Sequence, residues 1–280
     1  MLKKFFKFQS LGNDFIIFDL FKRPNFYFQK IIDQNNFTNF IAKICNRNFG
    51  VGADCVLMLK TNQVLNLPEV IVFNADGSLG QVCLNGLRCI AHFLYKNYNF
   101  ISPFNIKMGT KIFECIIDTK EIANLNSLKI TNKISEIKYL EKKTLYNIEN
   151  KNLAGHVVDV GNPHFVIFEK TDLSWLKQNG SKIENHEYFA NKTNTEFVWQ
   201  EKNCEKNIFN MLVYERGCGI TLACSSGATA TLYTLLNLKK INETEKILLK
   251  MPGGQITGWI EEQKVFLQAE SFFVFSGELS

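Results

Sequence analysis

The feature that most restricts how this chain can fold is a loose internal repetition. Four short segments of the first half return, in the same order, in the second. Leu11-Gly12-Asn13-Asp14 and the apolar run Phe15–Phe18 are echoed by Val160-Gly161-Asn162-Pro163-His164 and Phe165–Phe168. Asn48-Phe49-Gly50-Val51 has a looser counterpart in Asn194-Thr195-Glu196-Phe197-Val198. Cys83-x-Asn85-Gly86 returns as Cys224-x-Ser226-Gly227, and Lys107-Met108-Gly109 as Lys250-Met251-Pro252-Gly253-Gly254. Each echo is weak alone; their shared order carries the inference. A period of roughly 140–150 residues is far longer than any solenoid repeat, so the natural reading is two related domains facing each other. At 280 residues, each half has the size of an ordinary domain.

Local patterns agree. Asp14–Phe18, Val70–Phe73, Ile112–Ile117, Gly155–Val160, His164–Phe168, Phe209–Tyr214 and Lys246–Lys250 read as short strands rich in Ile, Val and Phe. Helices are expected over Asn36–Arg47, Leu84–Asn97 and Ser226–Leu238. In the second, Leu87, Ile90, Ala91 and Leu94 recur with helical spacing; in the third, Ala228, Thr231, Leu232 and Leu235 do. Both are largely apolar around the circumference, as helices enclosed by a curved sheet should be. The least patterned stretch is the Lys- and Glu-rich Lys133–Asn152. Placing the crossover just before it gives a first half at 1–127, completed by a terminal strand near 268–280, and a second at 128–267.

Composition narrows the function. The chain has 32 Lys and Arg against 27 Asp and Glu, a net +5 that is too small to argue for nucleic acid. Lys7 and Asp14 interrupt the N-terminal apolar stretch, so no secretory signal is read there. No apolar run approaches a membrane span. The chain therefore reads as a soluble cytoplasmic protein with reduced thiols, and its eight cysteines need a role other than disulfides. No Cys pair has zinc-ribbon spacing and the four histidines form no ligand motif, so no metal site is expected. Cys45, Cys89, Cys115 and Cys204 read as ordinary buried residues, while Cys55 and Cys218 have no assigned role.

Cys83 and Cys224 are different. Each immediately precedes an expected helix, where unpaired N–H groups and the helix dipole favour negative charge. That setting makes a thiol more acidic and offers a seat for a carboxylate. Two such thiols on opposite faces of one carbon can remove a proton and return another, which is racemisation or epimerisation. No metal or cofactor is required. Asn74 precedes Cys83 by nine residues, as Glu215 precedes Cys224, and Arg216 adds a fork for a second carboxylate. On spacing alone a plainer alternative stands: two buried helix-start cysteines, with Glu215–Arg216 a surface ion pair.

At these residues the chain resembles the diaminopimelate epimerases, amino-acid epimerases independent of pyridoxal phosphate. The resemblance runs through Leu11–Phe15, Asn46–Asp54, Phe73–Ser78, Cys83–Cys89, Val160–His164, Tyr214–Gly217, Thr221–Cys224 and Pro252–Gly254, nearly the whole chain. It implies an α+β fold of two pseudo-symmetric α/β domains. Each would be a curved, mostly antiparallel, barrel-like sheet around a central helix, with the active site in the cleft between them. A terminal strand around Phe272–Phe275 would return to the first domain. It implies Cys83 and Cys224 as acid/base thiols, assisted by His164 and Glu215. Asn13, Asn74, Asn162, Asn194, Glu215 and Arg216 would hold the substrate's polar groups. Backbone N–H groups at Leu84–Asn85 and Ser225–Ser226 would clasp the α-carboxylate. The implied ligand is a small amino acid, the implied cofactor none, and the implied assembly a homodimer.

Some positions depart from the family pattern. Leu84 and Ser225 stand where Gly is usual after each thiol. Leu79 stands for Glu, Ile220 for Glu, and Cys55 for Gly or Gln. These leave the thiol pair intact and bear on substrate and efficiency. The leading expectation is conversion of LL-diaminopimelate to the meso isomer. A racemase of the same fold acting on another amino acid, and a catalytically inactive binding relative, are the alternatives.

Overall fold

The computed structural model describes residues 3–120, 122, 124–202 and 205–279; Cys204 lies outside them. The chain divides into two compact units, Met1–Asn132 with Ala269–Ser280, and Lys133–Gln268.

In the first unit, β1 (Lys4–Ser10) and β2 (Asn13–Asp19) form a hairpin. Its two-residue turn, Leu11 and Gly12, has positive φ at both positions (56° and 77°), the conformation that matches strand twist. Helices α1 (Asn25–Ile32) and α2 (Phe37–Cys45) then cross to β3 (Cys55–Asn62), parallel to β2 and antiparallel to β4 (Leu67–Asn74). Helix α3 (Leu84–Tyr98) crosses to β5 (Phe104–Met108), parallel to β4, and β6 (Lys111–Ile117) and β7 (Ser127–Ile134) follow. The terminal strand β16 (Lys264–Glu278) bonds to β7 on one side and β1 on the other, closing an eight-stranded barrel. Inside it lies α3, with Leu87, Ile90, Ala91 and Leu94 fully buried, each large side chain adding about 1.5–3 kcal/mol. Outside, α1 and α2 cover a second cluster that includes Ile16, Phe18, Val56 and Met58.

The second unit repeats the order. After β8 (Lys138–Ile148), β9 (Lys151–Asp159) and β10 (Pro163–Ile167) are antiparallel; α4 (Leu173–Glu184) crosses to β11 (Asn194–Trp199), parallel to β10. Antiparallel β12 (Ile208–Glu215), flanked by the short β13 (Gly219–Thr221), leads into α5 (Ser225–Asn237). That helix crosses to β14 (Ile247–Met251), parallel to β12, and β15 (Gly254–Glu261) completes the hairpin. Hairpin, helical crossover, hairpin, helical crossover, hairpin: both units follow one plan.

Helix α5 is central yet rich in threonine. Thr229 and Thr234 solve that by donating to the carbonyls one turn back, Ser225 O (2.9 Å) and Ala230 O (2.8 Å). The three expected helices and seven expected strands all fall on observed elements. The stretch Lys133–Asn152 is not irregular: most of it is β8 and the turn into β9. One face of β8 is solvated and its pairing shifts at Tyr139/Glu141 and Leu145/Ile148, which erases clean alternation from the sequence. Among the described residues, no helix is long and apolar enough to cross a membrane.

Candidate active site

The nine-residue spacing has a structural origin. Asn74 and Glu215 are the last residues of β4 and β12, and Cys83 and Cys224 cap the helices that follow. Both caps have the same extended backbone, φ −121° and ψ 103° at Cys83, φ −122° and ψ 110° at Cys224. Each sulfur accepts a first-turn N–H: Gly86 to Cys83 Sγ at 3.4 Å, Gly227 to Cys224 Sγ at 3.3 Å. The thiols thus occupy the place where a Ser or Asp normally caps a helix.

In the first unit, Cys83 is partly exposed, and its own N–H reaches Met108 Sδ at 3.3 Å. Leu84 and Asn85 open α3 and are buried; Leu84 stands in helical backbone, so its side chain replaces Gly without a positive φ. Asn132 Nδ2 holds Leu84 O at 2.9 Å. Asn74 donates from Nδ2 to Ser78 Oγ (2.9 Å) at the solvent-exposed strand end. Asn13 begins β2, and its Oδ1 is buried with no hydrogen-bond partner among the described residues. Cys55 pairs across the ladder with Asn74 and with Phe15. Leu79 is 71% exposed.

An ion network pins the loop beside Asn13. Arg47 grips Asp14 with both nitrogens (2.9 and 3.0 Å) and Asp54 with one (2.7 Å), while Lys7 Nζ lies 2.7 Å from Asp14. Burial by itself would raise the Asp14 pKa, but the Arg47 and Lys7 contacts outweigh it and hold the carboxyl well below the usual range. The Lys7 and Asp14 that break the N-terminal apolar run are therefore partners.

In the second unit Cys224 is buried and touches Ser226 Oγ (3.3 Å). Glu215 accepts hydrogen bonds from the Thr221 hydroxyl and the Cys224 thiol; burial nevertheless raises its pKa. Burial, then the charges of Glu215 and Glu196, push the Cys224 thiol well up. His164 is fully buried, with Nδ1 2.7 Å from Glu196 Oε1 and Nε2 3.1 Å from Asn162 Oδ1. Asn194 ties three segments, donating to Pro163 O (2.8 Å) and accepting from the Arg216 N–H (3.0 Å). Arg216 Nη1 donates to Asn191 O (3.1 Å). Ser225 and Ser226 open α5. Ile220 packs against the apolar cluster under α4, unlike exposed Leu79.

Sequence reasoning missed Glu196. It is fully buried, its Oε2 has no hydrogen-bond partner among the described residues, and its Oε1 would lie 2.5 Å from a Cβ on Gly227. Only glycine at the α5 mouth leaves room for that carboxylate. The signal was present, a charged residue in the otherwise uncharged β11, but its burial was not visible.

Of the cysteines, Cys45, Cys89 and Cys115 are buried, Cys55 partly so, and Cys218 exposed.

Solved structures share this fold. A hydroxyproline epimerase from Agrobacterium vitis matches with TM-score 0.72 at 10% identity, over 99% of this chain and 92% of that one. A PhzF-family phenazine biosynthesis protein from Bacillus anthracis matches with TM-score 0.73 at 11% identity, over 99% of each. Sequence is more specific. The family described as diaminopimelate epimerase matches residues 5–121 and 156–268. The diaminopimelate epimerase of Hydrogenobaculum sp. (strain Y04AAS1) is 37% identical over 286 residues, covering 98% of this chain and 97% of that protein. That of Prochlorococcus marinus (strain NATL1A) is 33% identical over 292 residues, covering 100% and 99%. The chain belongs to the diaminopimelate epimerase family.

Proposed function

We propose that this chain epimerises LL-2,6-diaminopimelate to the meso isomer without pyridoxal phosphate, supplying lysine and peptidoglycan synthesis in the cytoplasm, as a homodimer. The observation that carries the reading is the matched thiol cap: Cys83 and Cys224 on the central helices, each sulfur on the third N–H beyond it. One thiolate takes the α-hydrogen, and the other thiol gives its proton to the opposite face of the same carbon; the roles swap in reverse. The first-turn N–H groups at Leu84–Asn85 and Ser225–Ser226 hold the α-carboxylate and the charge that spreads into it as the α-proton leaves. Glu215 and Arg216 hold an ammonium and a carboxylate, and Asn13, Asn74, Asn162 and Asn194 orient the remaining polar groups. His164, braced by Glu196, and Glu215 accompany the Cys224 thiol.

The test is purified protein with LL-diaminopimelate in deuterated water. Meso product carrying α-deuterium is expected, and Cys83→Ala or Cys224→Ala should abolish epimerisation; an intact rate in either variant sinks the mechanism. The second reading is a racemase of the same fold acting on another amino acid. A panel of amino acids in the same solvent decides between them.

A further inference from the structure

We infer that Glu184, the last residue of α4, is a positioning residue for substrate binding: its buried carboxylate holds the turn that presents Arg216, and so sets that side chain's grip on a substrate carboxylate. The inference rests on the reading of Arg216 given above and adds what fixes its backbone in place.

Glu184 sits against two local preferences. It is a carboxylate at the C-terminal end of a helix, where the dipole disfavours negative charge. It is also only 5% exposed, although desolvation disfavours an ionised carboxylate. Lys192 Nζ, 3.7 Å from Oε1, offsets part of that cost from an exposed position. Residues that break local rules in this way concentrate where function requires them.

The turn at residues 216–218 joins β12 to β13 and closes on itself through the Cys218 N–H, which donates to Glu215 O at 3.1 Å. The Gly217 N–H goes elsewhere, to Glu184 Oε1 at 2.9 Å. The Arg216 N–H goes to Asn194 Oδ1 at 3.0 Å. The two planar peptide groups flanking the Arg216 Cα are therefore each held by a side chain, one from α4 and one from β11, and together they fix where the Cβ points. Gly180 brings α4 close enough for this. It lies one helical turn before Glu184 on the same face, and a Cβ there would stand 2.1 Å from Tyr214 Cδ2. Gly180 and Glu184 thus meet Tyr214 and Gly217, the residues on either side of Glu215 and Arg216.

The first unit pins its matching turn by other means. After β4, Gly77 has φ 84° and lies so near α2 that a Cβ would stand 2.4 Å from Thr38 O. Asp76 Oδ1 accepts the Ser78 N–H at 2.9 Å, within the turn itself. Residues 75–78 of that turn include no arginine. The carboxylate clamp is found in the half whose turn presents a cation.

The experiment is steady-state epimerisation of LL-diaminopimelate by the full chain, with kcat and KM separated, in Glu184→Met and Glu184→Gln. Met keeps the volume and loses the acceptor; Gln keeps an oxygen at the end of the same stem. In Glu184→Met, KM should rise about tenfold with kcat within about twofold, and Gln should bring KM back to within about threefold of wild type. In an Arg216→Gln background, Glu184→Met should raise KM no further, because its effect passes through the arginine. An unmoved KM in folded Glu184→Met overturns the inference. So does an equal rise with and without Arg216, which a general loosening of the fold would give. Amide hydrogen exchange of the wild-type chain, resolved by residue, needs no variant. Although Gly217 is exposed, its N–H should exchange about tenfold or more slowly than that of an unstructured glycine. Exchange at the free rate overturns the inference even if Glu184→Met fails to fold. A protected Gly217 amide without α-deuterium exchange of LL-diaminopimelate would refute the proposed substrate and leave the Glu184 clamp standing.

Discussion

His164 Nδ1 lies 2.7 Å from Glu196 Oε1, and neither side chain is exposed to solvent. The two come from parallel neighbours β10 and β11, where His164 pairs in register with Asn194, two residues before Glu196. With Glu196 accepting, Nδ1 is the donor to the carboxylate, and the other ring nitrogen, Nε2, lies 3.1 Å from Oδ1 of Asn162. The carboxylate thus orients an imidazole near Cys224 without reaching the sulfur by a hydrogen bond of its own.

Glu196→Gln keeps the shape and the acceptor but removes the charge. We expect kcat to fall about tenfold with KM nearly unchanged, because an orienting group acts in the transition state rather than in binding. Glu196→Ala should cost more, with a further loss of about 2–4 kcal/mol in stability from the buried void. Steady-state epimerisation and urea unfolding check both; unchanged kinetics in Glu196→Gln would remove Glu196 from the mechanism.

Gly227→Ala places a methyl group 2.5 Å from Glu196 Oε1. Destabilisation by about 1–3 kcal/mol is expected. Because the clash is with one side chain, Glu196→Ala should relieve it, giving a coupling of about 1 kcal/mol or more in a double-mutant cycle. Strict additivity would place the strain elsewhere.

His92 joins α3 to the terminal strand, with Nδ1 3.2 Å from Ser271 Oγ and Nε2 3.0 Å from Leu125 O. Burial lowers its pKa to about 4 from the ordinary 6.5. The unfolded chain therefore binds this proton first, so the contribution is present above pH 6.5 and is lost as pH falls toward 4. Within that window His92 should contribute a slope of about 1.4 kcal/mol per pH unit, absent from His92→Gln. Urea unfolding at pH 7 and pH 5 measures the difference.

Asp14 has the same sign for a different cause. Its folded carboxyl is more acidic than the unfolded one, so its stabilisation is complete above the unfolded value of 3.8 and is lost as pH falls below it. Asp14→Asn should therefore cost more stability at pH 6 than at pH 3. Equal cost at both would mean the network with Lys7 and Arg47 holds shape rather than charge.

Much of the architecture was legible because burial leaves a period in the sequence. Central helices α3 and α5 announced themselves through Leu87-Ile90-Ala91-Leu94 and Ala228-Thr231-Leu232-Leu235, and the ordered echoes pointed to one plan used twice. β8 was not legible, since a strand wetted on one face and shifted twice in register carries no alternation. The thiol caps could be found from spacing, as strand end and helix start are fixed by the crossover. Glu196 could not, because its position matters through the void over Gly227, and voids are not written in any local pattern. Nor could the pairing of Lys7 with Asp14, which reads as an interrupted apolar run until the hairpin folds them together. Leu79 and Ile220 both stand where the family pattern has Glu, yet one lies at the surface and the other is partly buried against an apolar cluster.

The way β16 closes the first barrel has a consequence for biosynthesis. Lys7 pairs with Phe275 and Gln9 with Phe272, so the barrel begun by the earliest strands is sealed by residues synthesised after the entire second unit. Until those residues leave the ribosome, β1 presents an open edge of unpaired amides and carbonyls, the kind of edge that recruits other chains. The second unit, whose own strands are contiguous in the chain, has no such wait. The nascent chain therefore closes its first barrel only after the second unit has been synthesised.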